Sequence, residues 1–158
     1  MSSPLRRVKD IASITIRGRT YDLDDELRIN PDDLQTEFLD QPRKAAFWGA
    51  LHRRELAVLR EKEETAEMLK QRFFKEIWDA LVADGSKPYD SYVWSLVYVE
   101  EMVANARKEV RERKAVVEAL RNVVEAFEHR KSSLINLGAS SRRENESLTI
   151  RKRSSNNG

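Results

Sequence analysis

From Arg43 to about Val82 the sequence holds no proline, and Ala, Leu, Glu, Lys and Arg dominate it. A run of strong helix formers this long has one regular solution, a single helix of about 60 Å at 1.5 Å rise per residue. Helices in proteins draw most of their stability from packing an apolar face, so this one needs a partner. The partner follows the stretch ADGSKPYD, Ala83 to Asp90, where Gly85 suits the end of one helix and Pro88 precedes the next. Residues from about Tyr89 to Leu137 read as that second helix. Its opening, YVWSLVYV, could be a strand on propensity alone, but no breaker separates it from EEMVANARKEVRERKAVVEAL, which favours a helix buried on several sides in its first turns. The chain is thus expected to be mainly α, a long helical hairpin.

The second helix repeats apolar residues at three and four: Val116, Leu120, Val123, Phe127 and Leu134, then Leu137. This is a coiled-coil-like seam, and its continuation puts guanidinium groups, Arg113 and Arg130, where apolar knobs are expected. Val117 and Val124 widen the face beyond what a two-stranded coil uses, which points to packing on the first helix or to a larger assembly of identical subunits. Val116, Leu120, Val123, Phe127 and Leu134 are accordingly the candidate oligomer interface.

Ahead of the helices, Ile14 to Leu23 (ITIRGRTYDL) suggests two short strands around an Arg-Gly-Arg turn, a small β-hairpin that must lean on something else to be stable. Asp22, Asp24, Asp25 and Glu26 lack the glycine and the distant glutamate of a calcium loop, so a solvated acidic turn is expected and no metal site. In INPDDL, Asn30 is a good N-cap, Pro31 is tolerated at the first helical position, and Asp32 and Asp33 sit at the positive end of the dipole. Pro42 is expected to break or bend the helix that starts there. After Leu137 the sequence turns polar, with Arg142, Arg143, Arg151, Lys152 and Arg153 against Glu144 and Glu146. The expected division is an extension over residues 1–28, a helical domain over 29–138 and a flexible basic tail over 139–158.

The 158 residues suffice for one domain with a hydrophobic core, and 35% charged residues with only five glycines suit long, solvent-washed helices. Against 29 Lys and Arg stand 27 Asp and Glu, a net charge of +2, so any polyanion site must come from local segregation or from repetition of subunits. Cysteine is absent, which suits a reducing cytoplasm, the host's if the chain is phage-encoded. MSSPLRRVKD has no signal-like apolar core and no window has the length and apolarity of a membrane span, so no membrane contact is expected. The two histidines, His52 and His129, stand far apart, and there is neither a Gly-rich phosphate loop nor a nucleophile elbow. The reading is of a protein that is not an enzyme and uses no cofactor.

One stretch carries more than a core requires. LKQRFFKEIW, Leu69 to Trp78, combines three cations with three rings. On a helix, Leu69, Phe73 and Ile77 share one strip, Lys70, Phe74 and Trp78 the next, with Arg72 and Lys75 on the flank. On one reading Leu69, Phe73, Ile77 and Leu81 pack on the second helix while Phe74 and Trp78 fill a subunit interface. On the other, Lys70, Arg72 and Lys75 neutralise phosphates while one or two of the rings stack on unpaired bases.

From Tyr21 to Arg143 the chain resembles the phage recombination mediators of the UvsY family. The resemblance runs through DLDDELRINPDDLQTEF, then QPRKAAFW, then LKQRFF in place of the family's basic-aromatic Leu-Lys-x-Arg stretch, then VVEAFEHRKSSLINL. It implies a helical protein that binds single-stranded DNA without sequence preference, forms ring-shaped homo-oligomers, and helps a RecA-like recombinase displace single-strand-binding protein. It points to Leu69, Lys70, Arg72, Phe73 and Phe74 for strand binding. Lys75 and Glu76 stand where the family tends to have aromatic residues, and the hairpin and basic tail look like additions. The alternative is a helical, oligomeric phage structural or assembly protein that binds no DNA.

Overall fold

The computed structural model describes residues 13–155, with side chains described to residue 149; MSSPLRRVKD and the side chains of Arg151, Lys152 and Arg153 lie outside that range. The chain is mainly helical. Strands β1 (Ser13–Ile16) and β2 (Arg19–Asp22) pair antiparallel, Ser13 opposite Asp22 and Ile16 opposite Arg19. They are followed by α1 (Leu23–Leu27), a 3-10 turn (Pro31–Asp33), α2 (Leu34–Ala83), α3 (Asp90–Val99) and α4 (Glu101–Ser155). Two compact units result, one holding the described residues up to Ala50 and from Leu120 onward, the other Leu51–Ala119. No helix among the described residues is long and apolar enough to cross a membrane.

In the first unit the hairpin turns at Arg17 and Gly18, both at positive φ (51° and 76°), the geometry of a tight two-residue turn matched to strand twist. The acidic run caps a helix: the Asp22 carboxylate accepts the backbone N–H groups of Asp24 and Asp25 at 2.9 and 3.2 Å. Asn30 does the same for Asp32 at 3.0 Å, as expected of that motif. The hairpin leans on α2 through Tyr21, whose ring lies 5.0 Å from Trp48 and 6.0 Å from Phe47. Trp48 is fully buried and stacks on Phe127 of α4 at 6.3 Å.

Arg130 organises this unit. Its guanidinium donates to the carbonyls of Leu27 (3.2 Å) and Arg28 (3.0 Å), to the Gln41 side chain and to Glu37. Gln41 in turn donates to the Phe127 carbonyl at 2.8 Å. Pro42 therefore does not break α2: the preceding residue, which proline would push out of helical geometry, is buried and held by two partners on α4.

In the second unit α2 ends in a Schellman motif, with Gly85 at φ 82°, its N–H on Val82 and the Ser86 N–H on Leu81, both 3.0 Å. The expected single second helix is instead two. Glu100 takes an extended conformation (ψ 130°), accepts the Ala104 N–H at 2.9 Å and so starts α4 afresh. The reorientation lets Val93, Val97 and Val103 meet in one cluster, fully buried.

Two further expectations change. Leu120, Val123, Phe127 and Leu134 are buried within the single chain and Val116 is half-buried, so the candidate oligomer interface is occupied by the chain's own packing. The cations in that seam have intrachain partners too: Arg113 pairs with the fully buried Glu55, and Arg130 with Glu37. Beyond Leu137 the backbone stays helical as far as Ser155 where a flexible tail was expected. No proline interrupts it, and at Gly138 an added Cβ would come within 3.2 Å of the Phe38 ring, so α4 passes α2 closely there.

Removing one partner of a buried ion pair leaves the other charge without its mate, at a cost of about 3–5 kcal/mol. Arg130→Met is expected to lower the stability read by urea denaturation by an amount in that range. Glu37 is held below the ordinary value of 4.5, first by the Asn30 backbone N–H and then by Arg130, against the opposing effect of burial. A depressed carboxylate stabilises fully above its unfolded value and loses that contribution as pH falls through the folded one. The wild type should therefore lose stability below about pH 4.5 more steeply than Glu37→Gln, when denaturation midpoints are compared over that range.

Candidate nucleic-acid interface

The basic-aromatic stretch lies wholly in the second unit, on α2. Apolar spacing fixes its inner strip: Leu69, Phe73, Ile77 and Leu81 pack against Val93, Val97 and Val103, as one reading of the sequence expects. Phe74 and Trp78, expected at a subunit interface or on bases, pack against the same cluster. Both stay half-buried, because the cluster is only three valines wide and cannot cover two strips of rings.

The rings that remain form a series across two helices. Trp78 stacks on Phe74 at 5.8 Å, Phe74 meets Trp94 of α3 at 4.5 Å, and Trp94 stacks on Tyr98 at 5.9 Å. The series ends in a cation, Arg107 of α4, whose guanidinium lies 4.7 Å from the Tyr98 ring centre. Exposure rises along it, with Trp94 half-buried and Tyr98 exposed. Trp94, Tyr98 and Arg107 were not among the residues singled out from the sequence. Their signal was the aromatic density of YVWSLVYV, which helix-against-strand reasoning absorbed.

The candidate cations separate into two environments. Lys70 is mostly covered and pairs with Glu67. Arg72 lies over the Phe73 ring at 5.0 Å and pairs with Glu76 at 3.4 Å, while Lys75 reaches Asp79 at 3.8 Å. These three pairs lie three or four residues apart along one helix, where exposed ion pairs contribute about 0.3–0.5 kcal/mol. Lys70 and then Gln71 hold Glu67 below the ordinary carboxylate value, which keeps it charged beside Lys70 at neutral pH.

Among the described residues no group of three or more His, Cys, Asp or Glu side chains is placed to hold a metal ion. The arrangement offers flat apolar faces beside cations, the two components of sequence-tolerant strand binding. Comparison with known proteins finds no family model, curated protein or solved structure that matches the chain.

Phe73 and Phe74 are half-buried against the valine cluster, so each truncation opens a cavity. Phe73→Ala should cost about 3 kcal/mol, the low end for a phenylalanine because the ring is half-buried. The double change Arg72→Ala, Lys75→Ala should cost no more than about 1 kcal/mol, since it removes two exposed pairs and the Arg72 contact with the Phe73 ring. Tryptophan-monitored denaturation distinguishes the two.

Proposed function

We propose that the chain binds single-stranded DNA as a non-catalytic helical recombination mediator, assisting the loading of a RecA-like recombinase onto strands coated by single-strand-binding protein. The observation that carries strand binding is the ring series from Trp78 to Tyr98 with Arg107 at its exposed end. Stacking on aromatic faces contributes about 1–3 kcal/mol per base and requires bases that are not already stacked in a duplex. The mediator role, and the recombinase and single-strand-binding protein as partners, rest on the UvsY-family resemblance.

Affinity from one copy is modest, because the candidate cations are few and partly paired. Repetition in a homo-oligomer, a ring in the resembled family, multiplies these contacts through effective concentration. The apolar seam of α4 is used within the chain, so assembly uses other exposed surface. Candidates in the second unit are Val99, 75% exposed, and Met102, 53% exposed. Those residues also favour a second reading, a helical assembly protein whose rings contact only protein.

Titration with an oligothymidine and with a duplex of equal length separates the readings. Single strands should quench the fluorescence of Trp78 and Trp94, bind about tenfold or more tightly than duplex, and weaken linearly in log–log terms as salt rises. Absence of single-strand binding at low salt overturns the proposal and leaves the assembly protein. Equal affinity for duplex removes the rings from the site.

A further inference from the structure

We infer that the phosphates of a bound strand lie in a groove between α2 and α4 of the second unit, lined by Lys70, Arg107, Arg111 and Lys114, and not along Arg72 and Lys75. The inference rests on the proposed single-strand binding and assigns its phosphate track.

The groove encloses about 370 Å³ and opens to solvent. Two strips face each other across it, Glu63, Glu67 and Lys70 on α2 and Arg107, Arg111 and Lys114 on α4. In each strip the residues are spaced four and then three apart, so each strip follows a single helix face. Four cations against two carboxylates leave the groove a formal surplus of two positive charges. An ordinary solvated flank of a helix pair would balance its charges across the seam, and here only one pair does so, Glu63 with Lys114 at 3.0 Å. Lys70 turns to Glu67 on its own helix. Among the described residues Arg111 makes no ion pair, and Arg107 is held only by the Tyr98 ring.

A second groove on the same helix pair differs in its lining. It carries Glu61 and Glu109 against Lys62, which donates to Glu109 at 2.6 Å. A polyanion is therefore drawn to the first groove in preference to the second. Arg107 belongs to both features, lining the groove while covering the last ring of the aromatic series. A strand whose phosphates follow the groove brings its bases to Tyr98 and Trp94. Arg72 and Lys75 line no part of the groove.

The test compares salt dependence of binding in the full-length protein. For single strands each phosphate contact contributes a slope of about −0.7 in log affinity against log salt. Arg107→Ala, Arg111→Ala should therefore flatten the slope by about 1.4 and weaken binding tenfold or more at moderate salt, with helicity retained because both sites are exposed helix positions. Arg111→Ala alone leaves the Tyr98 contact intact and should flatten the slope by about 0.7, and Arg111→Lys should restore it. Glu63→Gln, which removes the partner of Lys114, should tighten binding severalfold. The Arg72→Ala, Lys75→Ala variant should keep the wild-type slope. An abasic phosphodiester strand should show the same loss of slope as oligothymidine, since the groove reads backbone and not base.

The groove assignment is overturned if Arg111→Ala retains the full slope while the wild type binds, or if the slope falls with Arg72 and Lys75 instead. If inorganic polyphosphate binds as tightly as the strands and loses affinity equally in the double variant, the groove is a free-polyphosphate site and the strand assignment fails. A wild type that binds no strand at low salt defeats the function reading itself, which is a different result.

Discussion

Within each unit the segments of α2 and α4, drawn from a chain in which 35% of residues are charged, bury only a narrow strip along their mutual face. Everything else in the structure answers to that limit. Where the strip is apolar it is filled by residues such as Leu120, Phe127 and Leu134. Where it is charged, the charge is matched inside the chain, Arg113 by Glu55 and Arg130 by Glu37 with two carbonyls and the Gln41 amide. Matched buried ions add little net stability compared with an apolar pair, but they fix which residues face each other. Arg130 goes further, because its carbonyl partners belong to the segment that follows the β-hairpin. A single guanidinium thus sets both the register of α2 on α4 and the seat of the hairpin's continuation.

The punctuation of the fold was legible because caps and turns are local chemistry. Asn30, Gly85 and the Arg-Gly turn do in the structure what their side chains and backbone freedom suggest in isolation. Pro42 and Glu100 were misread for the complementary reason. The proline's local penalty is overridden by contacts of Gln41 to residues more than eighty positions away, and Glu100 breaks a helix that has no local breaker, where Val97 and Val103 come together in one core. The seam itself was read correctly as a stripe, with Arg113 and Arg130 in it. Its destination was left between the first helix and a larger assembly, since periodicity identifies a buried face and says nothing of what buries it.

The candidate site divides along the same line. That LKQRFFKEIW carries more rings than one face can bury follows from spacing alone, and Phe74 and Trp78 are indeed left half-covered. Which rings extend the surface depended on α3 folding back beside α2, and this placed Trp94 against Phe74. Which cations are available depended on pairing. Arg72 and Lys75 have acidic neighbours one turn on, whereas Arg107 and Arg111 stand in a run of mixed charge, RKEVRERK, that does not show which cations are left without a carboxylate.

A net charge of +2 does not argue against polyanion binding once charge is considered by flank. At about 0.1 M salt the screening length is about 10 Å, comparable to the diameter of one helix, so a strand senses the side it lies on far more than the sum over the molecule. In the lining of the first groove of the second unit cations outnumber carboxylates, and in that of the second groove the reverse holds. The near-neutral total then has a consequence of its own. It limits self-repulsion when copies gather, so that many weakly cationic grooves can be brought together on one strand, where a uniformly basic chain would resist assembly in proportion to its charge.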